Sequence, residues 1–317
     1  MRSLPDGLPE RVTVVEVGPR DGLQNEARPV ATDDKVELIA RLAQAGVRSF
    51  EATAFVSPKA VPQMADAAEV VARARARTDA ELTALVPNPK GAERTAEAGI
   101  DGMVVFVSAS ESHNAKNVNR SVADSLAGFE GVAAVARDAG IPVHGAIATA
   151  FGCPFEGEVP AAQVVRIAEA MWGLGIRRIT LGDTTGMATP PLVEQRCQAL
   201  RAALPDLEIA LHFHNTRGIG LVNAMTGLRQ GVTRYESSIG GLGGCPFAPE
   251  ATGNIATEDL VYLLDELGVA SGVDLQALID TAPLAQRAVG HGLAAQVSKA
   301  GPRLKRFAMD SVRTAAQ

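Results

Sequence analysis

The chain has 317 residues, 46% hydrophobic and 21% charged, with a formal net charge of −6. Those proportions suit a globular protein with a sizeable core and exclude an intrinsically disordered one. The acidic balance, with only nine Phe, two Tyr and one Trp, excludes a general binder of nucleic acid or anionic membrane and a base-stacking platform.

Short β-rich runs fall at 12–17, 48–53, 82–86, 102–108, 142–149, 177–182, 208–214 and 233–239. Helical segments are predicted between and after them, at 33–45, 62–77, 91–98, 122–139, 161–174, 191–204, 218–230 and 257–267. Their punctuation is glycine past the end (Gly46, Gly99, Gly140, Gly175) and proline at the start (Pro191). Eight alternations with near-continuous apolar strands predict a parallel sheet buried on both faces. Closing that sheet gives a (β/α)8 TIM barrel over 12–268, followed by a helical C-terminal extension over 269–317 packed on the barrel. A doubly wound open sheet is the competing architecture, and the unbroken repeat favours the barrel. No apolar run approaches the roughly 20 residues that span a bilayer. The first twelve residues, MRSLPDGLPERV, hold no apolar core of a secretory signal. Three cysteines, Cys153, Cys197 and Cys245, are too few for a disulfide framework. A cytoplasmic location is therefore expected.

A barrel of this kind carries its chemistry at the C-terminal ends of the strands. The polar residues gather there. Strand 1 runs into Arg20-Asp21-Gly-Leu-Gln24-Asn25, strand 2 carries Glu51, strand 6 ends at Asp183, and strand 7 ends in His212-Phe-His214. Two histidines at i and i+2 of a strand share one face. With Asp21 they form a candidate divalent-metal site, suited to Mg2+ or Mn2+ with positions open for substrate, or to Fe(II) for oxygen chemistry. Cys245 follows a stretch with four glycines in five residues, a loop able to close over the site, where a thiol can donate a proton. Cys153 could be either reactive or a packed apolar group, and Cys197, on a helix, reads as core. His144 and His291 read as structural. The Gly240–Gly244 run lacks the Gly-Lys-Ser/Thr of a phosphate-binding P-loop.

Several segments carry a resemblance. VEVGPRDGLQNE (15–26), EATAFVSPKAVPQMAD (51–66), LGDTTG (181–186), HFHNT (212–216) and the Gly-Leu-Gly-Gly-Cys-Pro to Gly-Asn stretch within 237–264 resemble the hydroxymethylglutaryl-CoA lyase family. The likeness runs from about residue 12 to 280. It implies Asp21, His212, His214 and Asn254 as metal ligands, Arg20 as the catalytic arginine and Cys245 as the catalytic cysteine. Glu51, Gln24 and Asp183 would complete the polar site. The implied reaction is cleavage of 3-hydroxy-3-methylglutaryl-CoA to acetyl-CoA and acetoacetate, in a homodimer. The chemistry asks for such parts. A metal acidifies the tertiary hydroxyl, Asp21 or His212 offers a base, Arg20 stabilises the thioester enolate, and a thiol returns a proton to carbon. The polar segment 108–120, with His113, Lys116, Asn117 and Arg120, offers groups for substrate or CoA; a solvated loop is the alternative. Ala54, Ala146 and Asn215 depart from the family's frequent Ser, Tyr and Asp, and the two alanines leave room for a longer 3-alkyl substituent. Competing functions are a Claisen-condensing synthase, which typically lacks the Gly-Gly-Cys-Pro loop, an Fe(II) oxygenase, and an inactive binding barrel.

Overall fold

A computed structural model describes residues 5–244 and 253–306. Eight parallel strands close on themselves in sequence order: β1 (Thr13–Glu16), β2 (Ser49–Ala54), β3 (Glu81–Leu85), β4 (Gly102–Ser108), β5 (Val143–Ala148), β6 (Arg178–Asp183), β7 (Glu208–Phe213) and β8 (Arg234–Ser237). Closure is made by β8, which pairs in parallel with β1 and with β7. Every strand lies within one or two residues of its predicted run. Residues such as Phe50, Leu82, Ile179, Leu211 and Tyr235 are fully buried, as parallel strands covered on both faces require.

The connecting helices are α1 (Thr32–Gln44), α2 (Ala67–Arg75), α3 (Pro89–Glu97), α4 (Glu111–Val118), α5 (Val122–Asp138), α6 (Ala161–Gly173), α7 (Pro190–Ala203), α8 (Gly220–Arg229) and α9 (Thr257–Leu267). Two predictions need correction. The helix expected over 62–77 is a short 3-10 turn, Pro62–Met64, and then α2. The chain is interrupted at Asp66, whose carboxylate is held by Lys35 Nζ at 2.8 Å and Thr32 Oγ1 at 2.8 Å. The polar segment 108–120, for which no helix is predicted, contains α4, capped by Ser110 Oγ accepting from the His113 N–H. Beyond the barrel, α10 (Leu275–Val289) packs on α1 and α9, and α11 (Val297–Ala300) follows. No described helix is long and apolar enough to cross a membrane.

The two ends of the barrel differ. At the N-terminal end Arg178 and Arg234 each pair with Glu81 and Glu208. His144 sits there, 3.2 Å from Arg178 Nη1, its pKa pushed down to about 4 by burial and the neighbouring arginine. It is a structural residue, as expected. The opposite end opens into a cavity of about 170 Å3.

Candidate active site

The cavity begins with a sharp turn after β1. The amides of Arg20, Asp21 and Gly22 all converge on the Val17 carbonyl, at 3.1, 2.7 and 3.2 Å, in one π-type turn over Gly18–Gly22. Such turns concentrate at functional sites. This one turns Arg20 and Asp21 into the cavity that they line. The turn is pinned by Glu16, whose Oε1 accepts from the Gly18 and Ile239 amides at 2.8 and 2.9 Å. Burial lifts Glu16 to about 7.

Asp21, His212 and His214 come together, with one ligand atom from each lying within 4.8 Å of the others. The two imidazole Nε2 atoms face each other at 3.1 Å. Nearby, Asn254 Nδ2 donates to Asp21 Oδ2 at 2.8 Å and to the Leu242 carbonyl at 2.9 Å. Asn254 Oδ1 is buried and has no hydrogen-bond partner among the described residues. A carboxylate, two imidazoles and an orphaned amide oxygen, with no thiolate among them, fit a hard or borderline divalent cation. Burial works against charge on Asp21, but Arg20 and the two histidines hold its carboxyl well below the usual carboxylate range. Burial and His212 push His214 down to about 4.

One residue not singled out in the sequence completes this cluster. Glu236 on β8 accepts from His212 Nδ1 at 2.9 Å and from Thr180 Oγ1 at 2.6 Å. The parallel register sets His212 directly beside Glu236. The carboxylate fixes the proton on Nδ1 and leaves Nε2 as the ligand atom. Burial opposes charge on His212, but Glu236 and then Asp21 raise its pKa above the usual value.

Arg20 lies between two carboxylates, with Nη1 2.8 Å from Asp21 and Nη2 2.5 Å from Glu51. Its Nε is buried without a partner among the described residues. Glu51 is buried on β2, and burial, against the pull of Arg20, lifts it to about 7. Asp183 is placed differently from Glu51. Its Oδ1 accepts from the Met187 and Ala188 amides at 2.6 and 2.8 Å and so shapes the loop after β6. Burial raises it to about 6.

Gln24 and Asn25 line the cavity, and Asn25 Nδ2 also donates to the Gly244 carbonyl at 2.9 Å. From α4, His113 and Asn117 reach the cavity wall. Lys116 and Asn117 are both exposed on α4, and of the two Asn117 lines the cavity. Ala146 lines the cavity, whereas Ala54 is fully buried at the end of β2. Cys153 and Cys197 are buried, and His291 is exposed against Glu26. Cys245 lies outside the described residues.

The glycine-rich stretch before it approaches the metal-type cluster closely. Gly243 has φ +107°, and a Cβ there would stand 2.7 Å from Asn254 Nδ2. Glycine is required on both counts.

The comparisons agree with this geometry. The chain is 44% identical over 285 residues to a hydroxymethylglutaryl-CoA lyase of Bacillus subtilis, covering 90% of this chain and 95% of that one. It is 43% identical over 297 residues to the mitochondrial hydroxymethylglutaryl-CoA lyase of Rattus norvegicus, covering 94% and 91%. Among solved structures, an HMG-CoA lyase from Acinetobacter baumannii in complex with coenzyme A and 3-methylmalate superposes with a TM-score of 0.90 at 41% identity, over 95% of this chain and 98% of that one. The HMGL-like family model matches residues 11–284, from the first strand of the barrel into α10, and the chain belongs to that family.

Proposed function

We propose that this protein is a divalent-metal-dependent lyase that cleaves 3-hydroxy-3-methylglutaryl-CoA to acetyl-CoA and acetoacetate. One observation carries the reading. A carboxylate–imidazole triad and a buried guanidinium with an unpartnered Nε–H share a single cavity, in a chain 44% identical to a lyase of that name. Asp21, His212, His214 and the free Oδ1 of Asn254 are the residues that would hold the ion, and the oxygen-rich set favours Mg2+ or Mn2+. When bound, such an ion supplies Lewis acidity at the substrate's oxygens.

The chain's own residues account for the rest. Glu236 holds the His212 ring in one orientation. The substrate is an anion in a protein of net charge −6, so positive charge must be local. Arg20 supplies it, locked by Asp21 and Glu51. In the cleavage, the C2–C3 bond breaks as the tertiary hydroxyl loses its proton, and C3 becomes a ketone. The electron pair moves to the thioester enolate, which is protonated at carbon to give acetyl-CoA. The Arg20 guanidinium, which lines the cavity, is the donor placed to meet the enolate oxygen, a contact worth on the order of 10²–10³ in rate. Gln24, Asn25 and Asn117 offer amides to the polar parts of the acyl group and the thioester arm. Cys245 is the proposed proton donor to carbon.

Incubating the purified chain with 3-hydroxy-3-methylglutaryl-CoA and Mg2+ or Mn2+ should release acetyl-CoA. A chelator should abolish the release, and adding either ion back should restore it. No acetyl-CoA with either ion would refute the assignment.

A further inference from the structure

The cavity has two chemically distinct walls. Its polar wall comes from the ends of β1, β7 and β8, with Arg20, Asp21, His212, His214 and Glu236. The closed strand order places β4 diametrically across from β8. There an apolar patch, Leu85 on β3, Phe106 on β4, and Ala146 and Ala148 on β5, lies below the polar His113 and Asn117 of α4. The two alanines stand at i and i+2, so both face the interior of the barrel. Ala146, Ala148 and Phe106 remain only half-buried, an apolar surface left uncovered inside the site. Phe106 also borders a second cavity of about 240 Å3, lined by Val86, Pro87, Val118 and Phe129 together with Asn88, Arg120 and Ser125. That volume compares with roughly 10–15 Å3 needed for one water. Phe106 thus lines both the reaction cavity and an adjoining space whose sides are part apolar and part polar.

The substrate's own stereochemistry uses these walls. The carbon that bears the hydroxyl carries four groups. Three are polar or lead to polar groups: the hydroxyl, the carboxymethyl arm and the thioester arm. The metal-type cluster and Arg20 draw those three to one side. The fourth, a hydrocarbon, is left facing Leu85, Phe106, Ala146 and Ala148. A methyl group would cover little of that wall.

On this basis, and resting on the lyase reading above, we infer that the enzyme accepts 3-hydroxyglutaryl-CoA thioesters bearing a 3-alkyl chain of several carbons. The chain would run along Ala146 and Ala148 and past Phe106 into the second cavity. The bond changes are those of the methyl substrate. C2–C3 breaks, the hydroxyl oxygen becomes the ketone oxygen, and the electron pair on C2 takes up a proton. The products are acetyl-CoA and a 3-oxo acid that keeps the long substituent, with no redox partner required.

The test compares kcat/KM for 3-hydroxy-3-methylglutaryl-CoA and its 3-hexyl analogue, reading acetyl-CoA. The inference expects the hexyl thioester to fall within tenfold of the methyl one. Ala146→Phe should lower the hexyl-to-methyl ratio at least tenfold, the scale of a few methylenes in an apolar pocket. Phe106→Ala should raise that ratio. A methyl substrate that is cleaved while the hexyl analogue lies more than tenfold below it overturns the inference and leaves the lyase reading intact. So does an Ala146→Phe variant that slows both substrates alike. Failure to cleave either thioester overturns the lyase reading and the inference together. The wild-type comparison and the Phe106→Ala variant keep the test decisive if Ala146→Phe does not fold.

Discussion

Replacing Glu236 with glutamine removes a charge from the barrel interior while keeping the side chain's shape. Its Oε2 lies 2.9 Å from His212 Nδ1, and both side chains are largely shielded from water. The carboxylate can only accept, so it fixes the His212 proton on Nδ1. An amide can present either its oxygen or its NH2 group to that nitrogen. The glutamine therefore permits the tautomer in which Nε2 carries the proton and cannot coordinate. It also removes the charge that makes the ring a stronger ligand. Loss of such a partner weakens metal binding by roughly 10–100-fold, or about 1.4–2.7 kcal/mol. Calorimetric titration of Mn2+ into the metal-free protein reads this directly and needs no turnover. Circular dichroism should show the fold unchanged, because among the described residues the Glu236 carboxylate bonds only to the side chains of His212 and Thr180. Glu236→Gln protein that binds Mn2+ within about twofold of the parent would refute this account of His212.

Two further substitutions probe the groups that hold the loops around the site. Glu258 is buried, and burial pushes its carboxyl up to about 8. The folded state therefore holds a proton that the unfolded chain releases near 4.5, so this group's contribution to stability falls as pH rises from about 4.5 to 8. Glu258→Gln mimics the neutral acid and keeps an acceptor for the Gly240 amide at 2.9 Å. Thermal midpoints of the variant should thus fall less steeply than the parent's between pH 5.5 and 8, by up to about 1.4 kcal/mol per pH unit in stability; parallel curves would exclude the buried acid. Gly243→Ala should cost roughly 1–3 kcal/mol from its positive φ. By pushing on Asn254 it should also weaken Mn2+ binding, and a midpoint and affinity equal to the parent's would show that the loop accommodates a side chain.

Much of this molecule is legible in the sequence because its signals are local. The strands announce themselves through short apolar runs, since both faces of each are covered, and the helices through glycine and proline at their ends. Asp21, His212 and His214 are legible because ligand-type residues stand at strand ends with a spacing that puts both histidines on one face. What escaped depends on lateral neighbours. Helix α4, with the sequence ESHNAKNV, shows no apolar period. It is held instead by the Ser110 cap and by Asn114, whose Oδ1 accepts from the Ser108 amide and whose Nδ2 reaches the Arg120 and Ser121 carbonyls. The break at Asp66 is made by Lys35, which arrives from another helix. Glu236 is the sharpest case. It lies 24 residues from His212 in the chain, between a buried tyrosine and a buried serine that make its run read as an ordinary strand. Only closure of the barrel, which wedges β8 between β7 and β1, turns that glutamate into the partner of a ligand. Groups that touch the reacting atoms therefore betray themselves by residue type. Groups that act through another residue become visible only once the register between strands is known.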